Sequence, residues 1–340
     1  MAGYTEIGSE FHKAPLESGR GVGLPCGGQF VFSGRTAIET VLKEYPAKKA
    51  ALPSYCCDSM IEPFRRAGIA VCFYKVGFAD GLITDVDIAD DVDTLLWCNY
   101  FGFRVPMPEL SGFRSRGGVI IEDVTHSFLS ERVYHPQSRY LVASLRKWEP
   151  ILCGGYCASA DGELRFRPET PPPETFLAGK AAAMSLKEEY LKNPDPEKKA
   201  RYLSMFGESN RWLAENYSGL SVDPWSGQYL MTADVQRQRL RRIENARVLY
   251  AELRGTVRFL FPEEEMDCPL FVPILLPARL RPRVRQALTD REIYCPVHWP
   301  HPNADCASEL YDSELSLVCD QRYGEEDMLR VSAVLRAALT

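Results

Sequence analysis

No stretch of the chain strings together the ~18 consecutive apolar residues that a membrane-crossing helix requires, and no internal repeat or low-complexity tract runs along it beyond short proline runs. An excess of basic charge is absent too: 40 Lys and Arg stand against 46 Asp and Glu, for a formal net charge of −6. A nucleic-acid duplex or an anionic membrane surface asks for a basic face, so neither is expected as a partner. Cysteine is too sparse for a secreted disulfide scaffold and odd in number, eleven in 340 residues, which points to reduced thiols. The opening MAGYTEIGSEFHKAP has no basic segment leading into an apolar one, so no signal peptide is expected and the expected compartment is the cytoplasm. What is there is ordinary for a globular protein: 45% hydrophobic and 25% charged positions, with room for one large domain and a smaller one. A chain of this length buries enough surface to fold without a metal or disulfide staple.

Between residue 30 and about 160, short β-branched apolar runs alternate with amphipathic stretches, the pattern of strand–helix units in a mainly parallel sheet with helices on both faces. Strands are expected at 50–53, 71–76, 94–100, 119–123 and 140–144, and helices at 36–44, 58–67 and 108–114. Proline then punctuates the chain at 168, 171–173, 194 and 196, bracketing helical stretches at 174–192 and 197–217. A joint between domains is expected near 221–232, followed by a charged linking helix at 235–254. Strands at 270–276 and 316–319, and helices from 281 and over 325–338, complete a small α+β domain. The expected division is a large domain over 1–230, whose first 25 or so residues pack on the small one, and a small domain over 231–340.

In open α/β sheets ligands sit beyond the carboxyl ends of the strands, which directs attention to three turns. Ser33-Gly34-Arg35-Thr36-Ala37 opens a helix; its amide N–H groups, hydroxyls and guanidinium could cradle a phosphate, or Ser33 could simply cap the helix. Ile121-Glu122-Asp123 ends an apolar strand in two carboxyls with His126 three residues on, suited to a base, a ligand or a partner for a protonated ring nitrogen, or to another cap. Ser144-Leu145-Arg146-Lys147-Trp148 follows the next strand and precedes Gly154-Gly155. A lysine there could be a Schiff-base nucleophile or a solvated basic turn. The order phosphate turn, strand-end acid, then Ser-x-x-Lys is the layout that a pyridoxal phosphate site needs.

On these residues the chain resembles the fold-type-I pyridoxal-phosphate enzymes, and within them the DegT-type aminotransferases that act on keto sugars joined to nucleotides. Leu52-Pro53-Ser54-Tyr55 resembles the strand-end segment of that family and Arg241 through Ala246 the start of its linking helix; 292–300 and 317–328 resemble its small-domain loops. The resemblance implies a cytoplasmic homodimer with pyridoxal 5′-phosphate as cofactor, an amino-acid donor such as glutamate, and a role in making sugar nucleotides for polysaccharides. By position it implies Lys147 as imine-forming lysine and general base, and Asp123 at the pyridine nitrogen. Gly34, Arg35, Thr36 and Ser144 fall at the phosphate, and His126 at the 3-hydroxyl, where the family usually has glutamine. Where the family places an aromatic ring over the cofactor this chain has Cys57, so that Tyr55 or His126 would have to cover that face. Ser144 also stands closer to the lysine than in many relatives, the mark of an outlying branch. Trp148 and His298 are implied as substrate contacts. A lyase on the same cofactor, or a regulator or scaffold retaining the fold, are the alternative functions.

Other signals read more plainly. Cys295, His298, His301 and Cys306 are all zinc-ligand types, but their spacing matches no familiar finger or ribbon, and no metal is expected. Cys153 and Cys157, like Cys56 and Cys57, are expected as buried thiols rather than a redox couple. Trp148, Trp225 and Trp299 could line a sugar pocket or pack. The arginines of 237–247, interleaved with Glu244, read as a solvated helix or a subunit contact.

Overall fold

A computed structural model describes residues 6–15, 19–23, 27–131 and 134–340. They form two compact units. The first takes in the described residues of Met1–Ser9, Ala47–Arg139 and Gln236–Thr340, the second those of Glu10–Pro46 and Tyr140–Val235.

In the first unit a sheet runs in the order Val119–Asp123, Thr94–Cys98, Lys49–Pro53, Ala70–Phe78, Leu82–Asp85. The first four strands are parallel and the last pairs antiparallel with its neighbour. Every residue of Thr94–Cys98 and Val119–Asp123 is buried, as expected of strands covered on both faces, which explains the apolar runs at 95–98 and 119–121. The register sets Cys98 opposite Asp123, so the acidic pair sits at a carboxyl end. The helix Asp58–Arg66 buries Met60, Ile61 and Phe64. A separate antiparallel sheet, Arg258–Phe259, Phe271–Leu275 and Glu314–Val318, belongs to the same unit, with the helices Val235–Leu253, Arg281–Thr289 and Glu325–Leu339. Ile7–Gly8 pairs in parallel with Ile293–Tyr294.

The second unit holds an antiparallel trio, Gln29–Val31, Gly155–Ser159 and Tyr140–Ser144. Gln29–Val31 and Gly155–Ser159 were not expected as strands, because the first is three residues long and the second opens on the glycine pair. The helix Gly34–Glu44 lies against the two longer strands. Gly155 allows this: a Cβ there would stand 2.2 Å from the Ser33 carbonyl oxygen. The helices Glu174–Lys192 and Pro196–Glu215 pack on each other through Ala183, Met184, Tyr190, Tyr202 and Phe206. Within 221–232, a helix runs Pro224–Thr232. Asp223 caps it by accepting from Ser226 N at 3.0 Å, with Pro224 in its first turn, both favoured at a helix start.

The parallel sheet, the helices and the small α+β layer match the expected fold class, and the expected elements recur with ends shifted by a few residues. The linking helix, for example, is Val235–Leu253, and the strand expected at 316–319 is Glu314–Val318.

Candidate active site

In the second unit the phosphate-like turn is built as a capped helix start. Ser33 is extended and its Oγ accepts the Thr36 N–H at 3.2 Å. The Thr36 hydroxyl stands 3.0 Å from Ser33 Oγ and donates to the Tyr217 carbonyl at 2.9 Å. The capping reading therefore holds for these two side chains, and Thr36 braces the turn. Helix geometry leaves the amides of Gly34 and Arg35 without an intrahelical acceptor, at the positive end of the helix dipole. Gly34 also permits close approach: a Cβ there would lie 3.0 Å from that of Ser144.

Lys147 is tied to that same turn. Leu145–Lys147 form a single 3₁₀ turn after the strand Tyr140–Ser144. The Leu145 N–H donates to the Gly154 carbonyl at 3.0 Å, and the Gly154 N–H to the Phe32 carbonyl at 2.7 Å. Trp148 is fully buried and closes the turn by donating from its amide to the Leu145 carbonyl at 2.9 Å. Lys147 and Ser144 are half-buried. Arg146 donates to Asn210 Oδ1 at 3.2 Å. Burial pulls its pKa below the usual guanidinium range; Glu10 opposes this and Arg35 adds to it. Burial alone would raise the Glu10 carboxyl, but Lys180, Arg146 and Asn210 together bring it down to about 2.

In the first unit the acidic pair divides. Glu122 is consumed by the framework: Oε1 accepts from Asn99 Nδ2 at 2.7 Å, and Oε2 from Ser138 Oγ at 2.6 Å and His135 N at 3.0 Å. Neighbouring strand residues point to opposite faces, so Asp123 is left on the other side, buried, with Oδ1 accepting the Thr125 N–H at 2.8 Å.

His126, almost fully buried, accepts the Phe101 N–H on Nδ1 at 3.3 Å. In the neutral ring this puts the proton on Nε2. Phe101 has φ 57°, in the left-handed region that few non-glycine residues adopt. The ring of His126 stacks on Trp299, centroids 5.3 Å apart. Tyr55 is enclosed by Tyr100, Trp299 and Tyr311 at 5.1–5.8 Å between centroids. Burial first, then the Glu314 carboxyl beside it, holds its hydroxyl well above the ordinary phenol range. Cys57 sits before the helix Asp58–Arg66, half-buried, its Sγ 2.9 Å from Ser59 Oγ. Among the described residues no group of three or more His, Cys, Asp and Glu is placed to hold a metal ion, and the ten described cysteines are all free thiols.

His298 is buried and doubly held. Its backbone N–H donates to Glu314 Oε2 at 2.7 Å, and its Nδ1 lies 2.8 Å from Ser316 Oγ. Glu314 and Ser316 were missed in the sequence. The only signal was their spacing of two on a strand, which aims both side chains at one face.

No family model matches the chain, and no curated protein does. Solved structures do. Spr1654 from Streptococcus pneumoniae, in its PMP form, is 13% identical with a TM-score of 0.66, over 98% of each chain. DesV from S. venezuelae, solved with a ketimine intermediate, is 16% identical with a TM-score of 0.64, over 93% of this chain and 85% of its own. A DegT DnrJ EryC1 StrS aminotransferase from Brucella abortus is 14% identical with a TM-score of 0.59, over 91% and 85%. The chain has the DegT-type aminotransferase fold. At such identities the DegT-type fold leaves each side chain's role to its own geometry.

Each unit by itself holds group types that suit part of pyridoxal phosphate: in the second, helix-start amides and a serine suit a phosphate ester and a lysine an aldehyde, and in the first a buried strand-end carboxylate suits a protonated pyridine nitrogen.

Proposed function

We propose that the chain is a pyridoxal-phosphate-dependent aminotransferase that moves an amino group from an amino-acid donor, glutamate in the first instance, to a keto-sugar nucleotide or related carbonyl acceptor. The observation that carries this reading is the Lys147 turn, hydrogen-bonded through Gly154 to Phe32, the residue just before the Ser33–Thr36 helix start. When bound, the cofactor supplies an electrophilic carbonyl and an electron sink. The Gly34 and Arg35 amides, the Arg35 guanidinium and Ser144 would hold the phosphate, and Thr36 keeps the turn in shape. Asp123 would pair with the pyridine nitrogen and keep it protonated. His126 would offer its Nε2 proton to the 3-hydroxyl. Lys147 would hold the aldehyde through Nζ and, once the donor amine has displaced it, serve as the base that takes up the substrate's α-proton and returns it. Trp148 fixes the Lys147 turn by its burial, and His298 contacts substrate. Tyr55, held among the rings of Tyr100, Trp299 and Tyr311, would cover the cofactor face where Cys57 takes the place of a stacking ring. The same reading has the chain act as a cytoplasmic homodimer, with residues 231–340 as the small domain.

The test is spectroscopic. Protein loaded with the cofactor should absorb in the visible, and borohydride should fix the cofactor to Lys147, as found by peptide mapping. Glutamate should bleach the band to that of the pyridoxamine form. Failure to bind the cofactor, or a label on another lysine, would overturn the reading; binding without bleaching by any amino donor would leave a lyase or a regulator in its place.

A further inference from the structure

Glu314, Ser316 and His298 form a closed hydrogen-bond chain inside the first unit. Glu314 and Ser316 are fully inaccessible to solvent and His298 nearly so. The two residues of the strand Glu314–Val318 face the loop that carries His298. Glu314 Oε2 accepts the His298 backbone N–H, and Oε1 is bonded to Ser316 Oγ. Ser316 Oγ then meets His298 Nδ1. A serine hydroxyl has one proton to give, so its direction is set by the carboxyl. If Glu314 is neutral, its proton sits on Oε1, because Oε2 already accepts an N–H. Oε1–H then donates to Ser316, Ser316 donates to Nδ1, and the ring proton is left on Nε2. If Glu314 is ionised, the two side-chain arrows reverse while the His298 backbone N–H still donates to Oε2: Nδ1–H donates to Ser316, Ser316 to the carboxylate, and Nε2 carries a lone pair.

We propose that Glu314, acting through Ser316, is a positioning residue that selects the ring tautomer of His298, and so decides whether His298 presents a donor or a base at Nε2. No net proton enters or leaves the chain within either arrangement; the switch is the single proton lost or gained by Glu314.

The surroundings support a neutral carboxyl near neutrality. Burial raises Glu314 to about 8, only partly offset by the His298 N–H, Ser316, Arg281 and Tyr55. The titratable and charged groups that face it are few. Arg281 on the helix Arg281–Thr289 donates to the Glu314 carbonyl at 3.2 Å, and Tyr55 follows the strand Lys49–Pro53. Cys295 stands in the chain just before His298 and feels the carboxyl charge. The paired strand Phe271–Leu275 contributes no titratable side chain. The His298 ring itself faces His126 at 5.3 Å and Phe271 at 4.8 Å between centroids.

What His298 does with that nitrogen rests on its reading as a substrate contact, but its tautomer is observable with no substrate or cofactor, so the two ideas fail separately. The chain has five histidines, few enough to resolve by ¹⁵N-histidine labelling, with His298→Asn to assign the signals. The expected result is a protonated Nε2 and bare Nδ1 at pH 6.5, exchanging roles as the pH passes through about 8. Glu314→Gln, whose amide can donate to Ser316 but not ionise, should hold the Nε2–H form at every pH. Ser316→Ala should uncouple the ring from the carboxyl and abolish the exchange, and circular dichroism verifies that both variants fold. A ring protonated on both nitrogens at pH 7, no exchange in the wild type, or an exchange that survives in Glu314→Gln would each overturn the proposal.

Discussion

The strands and loops of the first unit present carboxyls among aromatic rings, whereas those of the second present amides, hydroxyls and cations. Two carboxyls shifted in opposite directions make the contrast concrete. Glu314, buried beside Tyr55, Ser316 and the His298 loop, is raised to about 8. Glu10, also raised by desolvation though less enclosed, is brought to about 2 because Lys180, Arg146 and Asn210 surround it. Burial pushes both acids the same way, and the neighbours decide the outcome. One region is thus suited to storing and directing protons, the other to holding anions and an amine.

The sharpest way to break this division is to remove its amine. Lys147→Ala should abolish the visible band of the loaded protein and lower transamination by about 10³-fold or more, measured by keto-acid release from glutamate, since a lost general base alone removes 10²–10⁴. The acidic pair of the first unit gives the next effect. Asp123→Asn should weaken cofactor retention and lower turnover by roughly 10²-fold, the low end of that range, at near-normal stability. Glu122→Ala should do the reverse, losing about 2–4 kcal/mol in urea titrations because Asn99, Ser138 and the His135 amide are left without their acceptor. Equal effects of the two would erase the assignment of one carboxyl to chemistry and the other to framework.

The two shifted acids predict opposite pH responses of stability. Glu314 is raised, so the folded state binds the proton more tightly than the unfolded chain. Its ionisation costs stability as pH climbs from about 4.5 to about 8, by up to about 1.4 kcal/mol per pH unit. Glu314→Gln should flatten that decline in thermal melts. Glu10 is lowered, so its contribution is complete above about 4.5 and is lost as pH falls toward 2. Its side chain is 34% exposed, which screens the interaction, so Glu10→Gln should cost only about 1 kcal/mol at pH 7. A Glu10→Gln variant that also altered the pH 5–8 limb would blur the contrast between the units.

The fold was legible because its signals are local. Buried strands are mostly apolar, and Val119–Asp123 and Tyr140–Ser144 stand where their composition placed them. Glu174–Lys192 likewise begins just after Pro173 and ends at Asn193. Gln29–Val31 and Gly155–Ser159 escaped because one is too short to show a period and the other owes its glycine to the nearby Ser33 carbonyl. Of the candidate residues, the sequence could name Asp123 and Lys147 from their places beyond strands. It could not say that Glu122 would be spent on Asn99, Ser138 and His135, nor that Tyr55 would be enclosed by rings.

By itself the sequence determined the class of the molecule: an acidic α/β protein whose apolar runs order its strands and whose helix starts and strand ends bear the reactive residue types. Only the tertiary structure decided what each type is left to do. A carboxyl, a hydroxyl or an imidazole takes its proton state from groups far along the chain, as Glu10 does from Lys180 and His298 from Glu314 and Ser316. Strand composition is fixed residue by residue, whereas desolvation and hydrogen-bond direction exist only once those distant groups have been brought together.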